Sequence, residues 1–89
     1  MTDTQAAVMQ SISEGRLIFP FDDELDALEE MAASGQLTAV ESKRLEQLLA
    51  LEAQFEPKDE AFHAAVKNGD LASAAAAAEQ ALTMLKAAA

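Results

Sequence analysis

The chain has 89 residues and a formal net charge of -10, which is length for one domain and a field that repels nucleic acid and acidic membrane surfaces. Hydrophobic residues make up 51%, much of that alanine, with four phenylalanines, no Trp or Tyr, and no cysteine. The core is therefore light, so that burial against a partner or a second copy is a natural supplement, and disulfide and thiolate chemistry are excluded.

The charge is unevenly placed. Residues 1–57 carry twelve acids against three bases, whereas residues 58–89 carry four against three. No apolar run approaches the roughly 18 residues of a membrane span. The MTDTQ start lacks the basic residues and apolar centre of a signal peptide, so a cytoplasmic location is expected.

In chain order, Thr2 and Gln5 have the spacing of a capping box, in which each side chain satisfies an orphan backbone donor. Val8, Met9 and Ile12 then recur at helical spacing and Gly15 offers a left-handed stop. Residues 16–21, Arg16-Leu17-Ile18-Phe19-Pro20-Phe21, break that pattern, because Pro20 lacks a donor and pushes Phe19 towards extended geometry. Such an apolar linker either plugs the core through Leu17, Phe19 and Phe21 or stands exposed as a docking segment.

Asp22 to Ser34 reads as a helix stopped by Gly35, with Asp22 as its cap and Asp23 and Glu24 at the positive end of its dipole. Leu25, Leu28 and Ala32 share one face. Asp22 to Glu30 holds six carboxylates and no base, and Asp22, Asp23, Asp26, Glu29 and Glu30 cover most of the opposite side. Capping accounts for the first of these acids. Asp26, Glu29 and Glu30, without a basic neighbour, repel one another at a cost that capping does not explain.

A second capping box, Thr38 with Glu41, opens the longest helix, expected to run to about Glu56. Its apolar stripe is Leu37, Leu45, Leu48, Leu49 and Phe55, widened by Leu51. The short connection before it makes the two helices antiparallel neighbours, and the hairpin from Asp22 to Phe55 is expected to be the heart of the fold. Pro57 suits the first turn of a fourth helix carrying Phe62, Ala65 and Val66. After the Asn68-Gly69 turn, Asp70 can cap a last helix in which Leu71, Ala75, Ala78, Leu82 and Leu85 line up with Met84 beside them. The alanine run reads as helix propensity plus close approach to a neighbour, and residues 87–89 as a frayed tail.

The expected architecture is all-α: one domain over residues 1–89, a compact bundle of four to five short helices. No cofactor, metal or enzymatic activity is expected. His63 is the single histidine, placed to meet Asp59 one turn earlier; zinc-site spacing, a calcium loop, a phosphate-cradling glycine loop and a serine nucleophile motif are all missing.

Two stretches carry local likenesses. Asp23-Glu24-Leu25-Asp26-Ala27-Leu28 resembles the amphipathic peptide with which a flagellar switch protein binds a chemotaxis response regulator. It covers six residues and departs at Glu29, where that family continues with an apolar residue, and no function is carried over from it. Phe62 to Leu82 is similar to one helix–turn–helix unit of the tetratricopeptide or ankyrin kind, through the Asn68-Gly69-Asp70 turn and the alanine-rich second helix. One unit without a second copy implies local shape alone.

Without a reactive site, the expected role is a small acidic protein-binding module: an adaptor, inhibitor or co-chaperone of a basic-surfaced protein. Phe19, Phe21, Leu25 and Leu28 would serve as anchors and Asp22, Asp23, Asp26, Glu29 and Glu30 as steering charges. Direct nucleic-acid or membrane binding is not expected. The alternatives are an inhibitor whose carboxylates mimic nucleic-acid phosphates in a cationic groove, of the phage anti-defence type, and a structural subunit that self-associates, as a homodimer for example, through the alanine seam.

Overall fold

The computed structural model describes residues 2–88. Among them are four helices and no strand: α1 (Asp3–Glu14), α2 (Asp22–Ala33), α3 (Ala39–Lys67) and α4 (Leu71–Ala88). The all-helical expectation holds, but α3 is not short. At about 1.5 Å per residue, its 29 residues account for most of the 46 Å long axis of a molecule only 25 and 17 Å across. The radius of gyration, 15.0 Å, exceeds the roughly 12 Å of a compact chain of this length.

Both capping boxes form. Thr2 Oγ1 accepts from Gln5 N while Gln5 Oε1 accepts from Thr2 N, and Thr38 and Glu41 do the same. Asp70 caps α4: its Oδ1 accepts from Ser73 N at 3.1 Å and its Oδ2 from Ser73 Oγ at 2.7 Å. α2 differs from expectation. Its cap position is Phe21, which offers no side-chain acceptor, and Asp22 is the first helical residue. Three carboxylates in that first turn, Asp22, Asp23 and Glu24, stand at the positive end of the helix dipole in place of a cap.

Pro57 does not begin a helix; it sits inside α3, which fuses the two helices expected at 38–56 and 57–67. Proline there removes the hydrogen bond to the carbonyl of Ala53. Both Pro57 and Ala53 are solvent-exposed, so the orphaned carbonyl faces water and not the core. Phe55 and Phe62 are buried on either side of the proline, so the core runs on through it.

α3 is the spine. The helix pairs that pack are α2 with α3, α3 with α4, and α1 with α4, the most extensive being α3 with α4. The heart of the fold is therefore this second hairpin, not the first. One buried cluster runs through the molecule: Leu25 and Leu28 of α2; Leu48, Leu51, Phe55, Phe62 and Ala65 of α3; Ala74, Ala78, Ala81 and Leu85 of α4. Leu17 and Phe19 of the linker complete it.

Helical faces are rotated slightly from their expected settings. Met31 packs on the core of α2 while Ala32 is exposed, and Leu49 and Met9 point outward. On α4 the core register is Ala74, Ala78, Ala81 and Leu85, with Leu71 exposed. The three alanines are fully occluded, as close helix approach demands. These three alanines are packed inside the monomer. Ala88 is helical and packs on the core; Ala89 lies outside the described residues.

Candidate functional site

The linker and α2 carry every residue expected to bind a partner, and these sort into two groups. Leu17, Phe19, Leu25 and Leu28 are buried. Along residues 16–19, which have no regular structure, side chains alternate: Leu17 and Phe19 turn inward while Ile18 is exposed. The linker is thus a core plug. Phe19 lies 5.3 Å from Phe55, centroid to centroid, and meets Phe21 edge-on at 5.6 Å. Phe19, Leu25 and Leu28 are consequently core residues of the folded monomer rather than free anchors. Phe21 is half-buried.

Asp22, Asp23, Asp26, Glu29 and Glu30 are all exposed. The antiparallel packing of α2 on α3 gives the two flanks of α2 opposite electrostatics. On one flank Arg44 of α3 clasps Glu24, Nε to Oε2 at 2.7 Å and Nη2 to Oε1 at 3.0 Å, a bidentate pair. Its Nη1 also donates to Gln47 Oε1, and its guanidinium sits 5.3 Å from the centre of the Phe21 ring. These hydrogen bonds hold the Glu24 carboxyl below its ordinary range and raise Arg44 further.

The other flank has no base. Burial pushes the Glu52 carboxyl of α3 above its ordinary value, and the like charges of Glu56 on α3 and of Asp22, Glu29 and Asp26 on α2 push it in the same direction. Two ion pairs form among the described residues, Glu24 with Arg44 and Asp59 with His63; neither neutralises this flank. Beside it, Asp22, Glu52, Glu56 and Asp59 rim a hollow of about 250 Å³ floored by Leu17, Phe19 and Phe55.

Glu52 and Glu56 are the residues that sequence reasoning missed. A signal was present: they stand one turn apart on α3, each without a base three or four positions away on the side of the other. Their union with α2 depends on helix packing, however, and not on local spacing.

His63 meets Asp59 as its position suggested, Nε2 to Oδ1 at 3.1 Å. The approach is one of distance alone, because that shielded oxygen accepts no aligned hydrogen bond. Among the described residues no three His, Asp or Glu side chains converge as a metal site, and no helix is long and apolar enough to cross a membrane. A larger hollow, about 620 Å³, lies between α1 and α4, where Gln5, Val8, Met9, Ala75 and Glu79 line it.

The segment from Phe62 to Leu82 does form a helix, a turn and a helix, but its first arm is the end of the 29-residue α3. No protein-family model, curated protein or solved structure significantly matches the chain.

Proposed function

We propose that this protein is a small acidic binding module that docks a basic-surfaced protein, as an adaptor, inhibitor or co-chaperone, through the face shared by α2 and α3. One observation carries the reading: Asp22 of α2 shares a hollow with Glu52, Glu56 and Asp59 of α3, and Asp26 and Glu29 of α2 add like charge around Glu52. Folding alone gains nothing from such a concentration of like charge. A partner's lysines and arginines would relieve it, accelerating encounter and favouring correct over wrong partners. Asp23 and Glu30, fully outward on α2, extend the same field. With Phe19, Leu25 and Leu28 committed to the core, Phe21, half-buried beside Arg44, is the remaining aromatic among the expected anchors.

The test replaces Asp22, Asp23, Asp26, Glu29 and Glu30 by their amides and compares association with partners captured from the native host. Slower association and a flatter salt dependence are expected, with the circular dichroism spectrum unchanged. Equal rates and salt slopes for the two proteins would show that the acidic face serves solubility alone. The same partner decides the mimicry reading, which the two-helix array of carboxylates also favours: a partner that keeps its nucleic acid when saturated with this protein excludes it.

A further inference from the structure

We infer that α2 is a charge-loaded flap, swinging off α3 as a unit while Leu17 and Phe19 stay seated in the core, with the charge of the carboxylates between α2 and α3 setting how often it opens. This stands on the isolated monomer and does not depend on the proposed partner.

Its hold on the molecule is slight. The helix packs on α3, buries Leu25 and Leu28, and tucks Met31 in partly. Its start has no side-chain cap, and its polar tie is the single clasp from Arg44 to Glu24. The α3–α4 hairpin, by contrast, encloses Phe62, Ala65, Ala74, Ala78, Ala81 and Leu85. Elements with few buried apolar contacts open at lower free energy than the global transition.

The load lies on the flank away from the clasp. Asp22 of α2 lines one hollow with Glu52, Glu56 and Asp59 of α3, and Asp26 and Glu29, on the same side of α2, add like charge around Glu52. No base pairs with Asp22, Glu52 or Glu56 among the described residues. Arg44 is committed to Glu24 and His63 to Asp59; Lys58 lines a groove with Glu79 and Gln80 of α4, and Arg16 one with Glu14 and Leu82. The raised Glu52 carboxyl agrees with this arrangement. Separating α2 from α3 relaxes the repulsion, so opening is favoured by the charges that closure compresses. The pivots are available at both ends: the uncapped Phe21 before the helix and exposed Gly35, at φ 72°, after it.

Native-state hydrogen exchange on the whole chain tests this. Amides of Leu25 to Ala33 should show protection at least about tenfold lower than those of Ala78 to Leu85. Raising the ionic strength from about 0.01 to 1 M, which shortens the screening length from ~30 to ~3 Å, should increase α2 protection several-fold and leave that of α4 nearly unchanged. Glu52→Gln should do the same at low salt, and Arg44→Met should lower α2 protection selectively. If α2 and α4 exchange at one common free energy, or if α2 protection ignores both salt and Glu52→Gln, there is no such flap.

Discussion

The ring of Phe19, carried on an irregular linker, lies 5.3 Å from the ring of Phe55 and tilted 52° to it. Because Phe55 belongs to the middle of α3, this contact joins the α2 end of the spine to the α4 end. Phe19→Ala should cost about 3–5 kcal/mol, the usual loss for a buried phenylalanine. Ile18→Ala, one residue earlier but 56% exposed, should stay within about 0.5 kcal/mol of the parent. Urea unfolding of the two variants checks the alternation; comparable losses would mean that the linker does not sit as described.

Pro57 offers the opposite case, a residue whose removal should help. Proline in a helix interior is about 3 kcal/mol worse than alanine, and here the ring is exposed. Pro57→Ala should therefore stabilise by about 1–3 kcal/mol, and each kcal/mol should raise Tm by roughly 4–8 °C. Thermal melts followed at 222 nm decide it. A lower Tm would show that the proline sets an angle in α3 on which the packing depends.

Stability should vary with pH in two opposing windows. The folded Glu52 carboxyl lies above its ordinary 4.5, so between that value and its raised one the folded state binds more protons than the unfolded chain. Stability therefore rises as pH falls from neutrality through that window. Glu24 and Asp70 lie below their ordinary 4.5 and 3.8. Their contribution is complete above those values and is lost as pH falls through the lowered ones. Urea midpoints should first climb and then drop as the solution is acidified, and Glu52→Gln should raise the neutral-pH midpoint and abolish the climb. A parent midpoint that only falls on acidification would contradict the crowding around Glu52.

The alanine run of α4 is a packing surface on one side and plain helix on the other. Ala78 is fully occluded, whereas Ala76, two residues away, is exposed. Ala78→Leu should overpack the seam at a cost of about 1–3 kcal/mol or more, while Ala76→Leu should be close to neutral. Equal tolerance at the two positions would dismiss the close α3–α4 approach.

What the sequence determined by itself is local. The capping of α1 by Thr2 and Gln5, of α3 by Thr38 and Glu41, and of α4 by Asp70 all act within three residues. So do the stops at Gly15 and Gly35, whose φ angles of 71° and 72° suit glycine. The exposed acids of α2 were legible from helical spacing for the same reason.

Tertiary structure decided whatever depends on residues far apart in the chain. Pro57 reads locally as a helix start, yet burial of Phe55 and Phe62 on either side carries α3 through it. On α4 Ala78 and Leu85 are core as expected, but Ala74 and Ala81 replace Leu71, Ala75 and Leu82 in the buried row, because a close helix neighbour selects the smallest side chains. Phe19, Leu25 and Leu28 became core, and Phe21 took the cap position expected of Asp22. The acidic ridge of α2 acquired Glu52 and Glu56, which lie more than twenty positions further along the chain on α3. Periodicity shows which way a side chain points from its own helix axis; it does not show what charge waits on the helix opposite.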